Sequence, residues 1–96
     1  MTDNINEILN TRATTHGKFG VNATMSQDLK STIEYYAEQT TTKLSKPQKE
    51  ALDMICSKIA RICVGNNSEI DHWRDIAGYA LLVVRELESR DDERTI

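Results

Sequence analysis

The sequence predicts an all-α fold, a four-helix bundle that we expect dimerisation to complete. Three observations indicate the helical class. Apolar residues recur at spacings of three and four in four segments, and no segment alternates apolar and polar residues as a strand does. A single proline and four glycines leave room for long uninterrupted helices. Because 96 residues form one small core, we expect a second subunit to add burial. We assign residues 1–90 to a single helical domain and residues 91–96 to a charged, frayed tail.

The first two helices are indicated by short apolar stripes. We predict the first over residues 3–14 and the second over residues 22–39. The segment THGKFG separates the two helices. The second is expected to end at the β-branched, polar segment TTTKLSK, because the helix propensity of that segment is poor. The apolar positions are Ile5, Ile8 and Leu9 in the first helix, and Met25, Leu29, Ile33 and Tyr36 in the second.

The third helix has the clearest start signal in the chain. Ser45 is a good N-cap, Pro47 falls in the first turn where its missing N–H costs nothing, and Gln48 completes an S-x-x-Q capping box. The helix is predicted to run to Val64 and to end at Gly65. Its apolar face comprises Leu52, Ile55, Cys56, Ile59, Ile62 and Cys63. Seven residues separate the cysteines by roughly 10 Å of helix, too far for a disulfide, so we expect two buried thiols.

The fourth helix is predicted after the turn GNNSEI, capped by Ser68 or Asp71, and runs to Ser89. Short connections favour antiparallel neighbours. Its apolar face comprises Trp73, Ile76, Ala77, Ala80, Val83, Val84 and Leu87. Trp73 is therefore expected in the core, and Tyr79 lies at the border of this face. Gly78 in mid-helix costs about 0.5–1 kcal/mol relative to alanine, so we expect close helix packing or a ligand to account for it.

Charge and composition exclude several classes of partner. The net charge is −3, and no segment gathers lysine and arginine, which argues against binding to nucleic-acid backbones. No apolar run is long enough to span a bilayer. The polar, acidic segment MTDNINEILN does not resemble a signal peptide. A cytoplasmic location and no membrane partner are the resulting expectations.

Acidic residues near the starts of the last two helices allow two interpretations. Glu50 and Asp53 lie in one helix, and Asp71 and Asp75 lie one turn apart in the next. Acids in a first turn stabilise the positive end of the helix dipole by about 0.3–1 kcal/mol, so periodicity alone favours a solvated face. The alternative is a metal site. Since antiparallel helices put these pairs at opposite ends, that site requires a helix crossing, a longer connection or a second subunit.

The segment from Gln48 to Leu87 carries the pattern E-A-L-x-M-I-x-x-K-x-A-R-I, a short Gly/Asn turn, then D-x-W-x-D-I-A-G-Y-A. In this pattern the segment resembles a domain-of-unknown-function family of small phage and prophage proteins. The matching positions are Glu50, Met54, Lys58, Arg61, Asp71, Trp73, Asp75, Gly78 and Tyr79. An N-terminal R-x-x-x-H/Y-G-x-F element is matched by Arg12, His16, Gly17 and Phe19.

The same arrangement of acidic residues on two successive helices is similar, more distantly, to that of MazG-like all-α nucleoside triphosphate pyrophosphohydrolases. That resemblance implies a MazG-like bundle. It also implies Mg²⁺, which takes carboxylate and phosphate oxygens as ligands. It implies metal ligation by Glu50, Asp53, Asp71 and Asp75. It implies phosphate contacts from Lys58, Arg61, Arg12 and His16, and base stacking by Trp73 or Tyr79.

Two functional hypotheses follow. The first is a Mg²⁺-dependent protein that binds or hydrolyses (deoxy)nucleoside triphosphates, releasing pyrophosphate. The second is a non-enzymatic helical interaction module, a phage accessory protein that acts on a host partner. The first predicts that the four acids converge, and the second predicts scattered acids and a contiguous exposed apolar patch.

Overall fold

The computed structural model describes residues 2–95, and the side chains of residues 4–91. Its elements are α1 (Thr2–His16), α2 (Phe19–Glu38), α3 (Lys46–Val64) and α4 (Ile70–Thr95). Residues 2–95 contain no strand. The all-α class and the helical bundle are therefore confirmed. None of the helices in this range is long and apolar enough to cross a membrane.

The predicted bounds of α3 are confirmed at both ends. The Ser45 hydroxyl accepts a hydrogen bond from the Gln48 backbone N–H at 3.2 Å, and the Gln48 side chain accepts one from the Ser45 N–H at 2.8 Å. Both halves of the capping box are thus present. At the other end, the N–H of Gly65 donates to the carbonyl of Arg61 at 2.9 Å. Local side-chain chemistry is enough to define this helix.

The break between α1 and α2 is narrower than predicted. It comprises only Gly17 and Lys18, so α2 begins at Phe19. Gly17 takes a positive φ of 80°, which glycine adopts without steric cost. The Asn22 side chain donates to the carbonyl of His16 at 2.7 Å. Together these features turn the chain within two residues.

The fourth helix differs from the prediction at both ends. It begins at Ile70, so Asp71 lies inside the first turn and is not the cap. The Ser68 hydroxyl donates to the Asn67 side chain in the preceding turn. The helix continues to Thr95, beyond the predicted end at Ser89.

The helix α3 is the centre of the bundle. Within the described residues it contacts all three other helices, whereas α2 and α4 do not contact each other. Ser57 and Lys58 show how α3 serves two neighbours, because consecutive helical residues point about 100° apart. The Ser57 hydroxyl lies 3.2 Å from that of Ser26 on α2, and the Lys58 ammonium lies 2.9 Å from the Asp75 carboxylate on α4.

The apolar core is small and belongs to α3. The buried hydrophobic residues are Ala51, Cys56 and Ala60. Cys63 is exposed, so the prediction of two buried thiols is wrong for the second. Cys56 lies in the middle of α3 beneath its neighbours, whereas Cys63 lies in the last turn.

The packing face of α4 is rotated relative to the prediction. Ile76 and Val83 are half-buried as expected, together with Tyr79. Trp73 is 53% exposed, and its indole N–H donates to the carbonyl of Asn67 at 2.9 Å. The prediction that Trp73 lies in the core is therefore wrong. The apolar residues of α4 extend over a wider arc of the helix than α3 covers, so the residues on one side of that arc are exposed.

Gly78 lies on an exposed part of α4 where the structure leaves space around the helix. A Cβ added at Gly78 would meet nothing within 4 Å, so the close packing expected from the sequence is not supplied within the chain. We expect Gly78→Ala to raise the free energy of unfolding by about 0.5–1 kcal/mol, measured by urea denaturation. Destabilisation instead would contradict an open environment at this position.

Candidate functional site

Hydrogen bonds to the carbonyl of Thr15 hold the end of α1 against the α3–α4 turn and the start of α4. The carbonyl of Thr15 accepts from the N–H of Asn66 at 3.0 Å and from Nε2 of His72 at 2.9 Å. Because a carbonyl only accepts, this contact places the hydrogen on Nε2. His72 is 3% exposed, and its ring centroid lies 5.2 Å from that of His16. Buried His72 thereby positions the C-terminal turn of α1.

A groove lies between the C-terminal half of α1, the start of α2 and α3. It encloses about 470 Å³. The hydroxyl pair of Ser26 and Ser57 joins two of its walls. The residues that line it are Leu9, Arg12, Ala13, His16, Gly17, Phe19, Asn22, Ala23, Ser26, Gln27, Ser57 and Arg61. None of them is acidic, although the chain as a whole has a net charge of −3. We refer to this groove as the basic groove.

Two guanidinium groups, those of Arg12 and Arg61, make the basic groove positive. Arg12 and Arg61 form no ion pair with any described residue. The pKa of His16 is held below its usual value of 6.5 by burial first, and then by the charges of Arg61, His72, Arg12 and Lys58. A cationic field that resists a further positive charge favours an anion. The structure therefore brings together three of the four residues predicted to contact phosphate.

The fourth predicted phosphate residue, Lys58, is engaged elsewhere. Its ammonium lies 2.9 Å from the carboxylate of Asp75, and its side chain is 11% exposed against 46% for Asp75. The hydrogen bond from Lys58 is the main reason that the pKa of Asp75 is lowered. A residue predicted to contact phosphate and a residue predicted to bind metal therefore neutralise each other.

The four predicted metal ligands do not gather within the described chain. Asp71 is exposed and lies 3.9 Å from Arg74, and Glu50 is exposed. Asp53 lines a second groove with residues of α2, whereas Asp75 meets α3 from α4, on another side. Residues 4–91 contain no group of three or more His, Cys, Asp or Glu side chains that would hold a metal ion. The Mg²⁺ site stays a prediction without support from the geometry of one chain.

The ion pair predicts an effect of Asp75→Asn that needs no metal. The substitution leaves the ammonium of buried Lys58 without a carboxylate, which is destabilising. We expect a lower melting temperature in the presence of EDTA, and a much smaller decrease for Asp71→Asn, whose exposed carboxylate interacts only weakly with the start of α4. Because the pKa of Asp75 is lowered from 3.8, the stabilisation is present above that value and is lost as the pH falls below it. An Asp75→Asn protein that is unchanged in EDTA but loses stabilisation by Mg²⁺ would contradict this role and identify a metal ligand.

The other residues singled out in the sequence lie outside the basic groove. Trp73 is on the exposed side of α4, Tyr79 is half-buried on α4, and Gly78 is exposed. Conversely, no sequence pattern singles out His72 or the serine pair of Ser26 and Ser57. Their signal is not local, because the contact of His72 with Thr15 joins residues 57 apart in the chain.

Comparisons of the chain with protein-family models, with curated proteins and with solved structures give no match. The phage family and the MazG-like relationship therefore stay predictions, and the geometry of the chain itself is what indicates a function.

Proposed function

We propose that this chain binds a phosphate-bearing small anion in the basic groove. One observation carries the proposal: Arg12, His16 and Arg61 line a single groove, and none of the described residues that line it is acidic. Two guanidinium groups supply planar pairs of donors that match phosphate oxygens. The hydroxyls of Ser26 and Ser57 form part of the wall, where they are hydrogen-bonded to each other and Ser57 donates to the carbonyl of Asp53.

A nucleotide is the ligand class that agrees best with the rest of the groove. Its volume of about 470 Å³ falls in the range of small-molecule sites. Apolar Leu9 and Phe19 also line it, and Phe19 is 86% exposed. An exposed aromatic ring beside a cationic groove suits stacking of a base. In this proposal Phe19, rather than Trp73 or Tyr79, contacts the base.

Hydrolysis is a further part of the proposal. It requires carboxylates that a single chain does not supply. Pyrophosphohydrolysis with Mg²⁺ needs carboxylates beside the phosphates, and Asp75 is paired with Lys58. The acids would have to come from a second subunit. Binding without hydrolysis is therefore the part that the geometry supports.

Thermal unfolding with added ligands tests the proposal. The ligands are inorganic phosphate, pyrophosphate and a panel of (deoxy)nucleoside triphosphates, each with and without Mg²⁺ or Mn²⁺. A ligand that binds only the folded chain stabilises it by about 2.7 kcal/mol at a hundredfold excess over Kd. We expect stabilisation by pyrophosphate and triphosphates in the wild type and its loss in Arg61→Gln.

Arg85→Gln is the matched control, because it removes the same charge from an exposed position of α4 outside the basic groove. It is expected to keep the full ligand effect. Stabilisation that requires the divalent ion, followed by release of pyrophosphate, would support the hydrolytic form. The absence of a shift with every ligand, or an equal loss in both variants, would overturn the proposal.

A second candidate function is favoured by a separate observation. Exposed apolar residues on α4, among them Trp73, Val84 and Leu87, form the kind of surface that contacts another protein. This favours the non-enzymatic interaction module, with a host protein or another copy of the chain as partner. The two candidates use different surfaces, so they are tested separately.

A further inference from the structure

One exposed side of α4 carries apolar residues at the spacing of a coiled-coil seam. We call this set the outer stripe: Trp73, Ala77, Ala80, Val84 and Leu87. Its members are separated by four, three, four and three residues, and all are exposed. This alternation keeps the residues of one helix facing a partner helix over several turns.

Among the described residues, α4 packs against α3 and, through His72, touches the end of α1, and neither contact covers the outer stripe, whose five side chains are all exposed. The chain exposes 7393 Å² of surface, whereas a compact monomer of this mass exposes roughly 5,600 Å². The radius of gyration is 16.7 Å, against about 12.5 Å for a compact domain of this length. The excess surface is larger than the roughly 800 Å² that each partner of a standard interface buries. The chain therefore has enough surplus surface for a stable dimer.

We propose that a second copy of this chain covers the outer stripe, with the two α4 helices packed antiparallel. The arrangement has its two-fold axis beside Leu81, which is 47% exposed and flanks the stripe. The small side chains of Ala77 and Ala80 then lie near the axis, where the helices approach most closely. Trp73 packs near Leu87 of the second copy. This inference rests on the second candidate function and names its partner, and it does not depend on the basic groove.

Charge favours the antiparallel direction. Arg74 and Glu88 flank the outer stripe on the same side as Leu81, seven residues before and after it. In an antiparallel pair, Arg74 of one copy lies opposite Glu88 of the other, twice by symmetry. In a parallel pair the two copies of this flank lie on opposite sides of the interface, so Arg74 of one copy and Glu88 of the other do not meet. Flanking charges of this kind set the orientation of paired helices.

Sedimentation equilibrium over a wide range of concentration tests the dimer against the 10.9 kDa mass of one chain. Trp73 is the only tryptophan, so its fluorescence reports directly on the outer stripe. We expect two chains per particle and a blue shift of emission as the dimer forms. Leu87→Glu is expected to abolish both, and the control Leu82→Glu, which is 58% exposed on another side of α4, to leave both intact.

Charge reversal tests the direction. Arg74→Glu alone and Glu88→Arg alone are each expected to weaken the dimer several-fold, and the double variant to restore it. A chain that is monomeric at every concentration, or a dimer that Leu87→Glu leaves intact, would overturn the proposal. A dimer sensitive to Leu87→Glu but not restored by the double variant would overturn the antiparallel arrangement. Phosphate binding in the basic groove can fail or succeed independently of these outcomes.

Discussion

Gly17→Ala is expected to lower the free energy of unfolding by about 2–5 kcal/mol. Gly17 has a φ of 80°, a left-handed conformation that costs a residue with a Cβ about 1–2 kcal/mol. The added Cβ would also lie 2.5 Å from Cγ1 and 2.6 Å from the carbonyl oxygen of Val64. Forcing an atom into such a contact costs about 1–3 kcal/mol more, since the backbone itself must move. Urea denaturation followed by circular dichroism measures the change.

Gly20→Ala is the matched control for this prediction. Gly20 lies three residues further on, and a Cβ there would meet nothing within 4 Å. The free energy of unfolding is expected to stay equal or to rise slightly, because alanine has the higher helix propensity. If Gly17→Ala were as stable as Gly20→Ala, the tight crossing between the end of α1 and the end of α3 would be wrong. That crossing also positions Arg12 and His16 for the basic groove.

His72→Ala is expected to lower the free energy of unfolding by about 2–5 kcal/mol. The ring is 3% exposed, and truncation of a large buried side chain leaves a cavity of this cost. The substitution also removes the hydrogen bond from Nε2 to the carbonyl of Thr15. That carbonyl keeps its bond from Asn66, so loss of packing accounts for most of the effect.

His72→Phe separates the two contributions. Phenylalanine keeps an aromatic ring beside His16 but has no donor for Thr15, so it is expected to cost about 0.5–1.5 kcal/mol, the net contribution of one hydrogen bond. If both variants unfold at the wild-type urea concentration, His72 does not hold α1 in place. The positioning of the basic groove by His72 would then be refuted.

The sequence predicts α3 well because its ends depend on local chemistry. Ser45 and Gln48 contact each other within one turn, and a contact of that range is visible in the order of residues. The packing face of α4 is different. A helical wheel gives the direction of each side chain, but it does not say which arc a neighbour will cover. The periodicity therefore predicts one core face for the whole apolar arc of α4, whereas α3 covers only part of that arc and Trp73 is exposed.

The candidate site depends on contacts between distant parts of the chain. Arg12 and His16 meet Arg61 only because Gly17 turns the chain and His72 holds Thr15. The family resemblance implies which basic side chains contact phosphate. The fold determines which of them lie in one groove. The same reasoning failed for Lys58, because nothing local indicates that its partner would be Asp75.

The pKa of His16 tests the basic groove most directly. The chain has only two histidines, so NMR titration with a His16→Asn variant for assignment resolves each ring. Without ligand, we expect the pKa of His16 to lie below 6.5, the ordinary value. The unfolded chain then binds protons more readily than the folded chain. The stability should therefore fall as the pH is lowered through the range below 6.5.

Pyrophosphate supplies the decisive comparison. An anion bound between Arg12 and Arg61 offsets the charges that lower the pKa of His16, and it accepts a hydrogen bond from the protonated ring. We predict that saturating pyrophosphate raises the pKa of His16 in the wild type and in Arg85→Gln but not in Arg61→Gln. A pKa of His16 that is the same with and without pyrophosphate would contradict the claim that this groove binds phosphate.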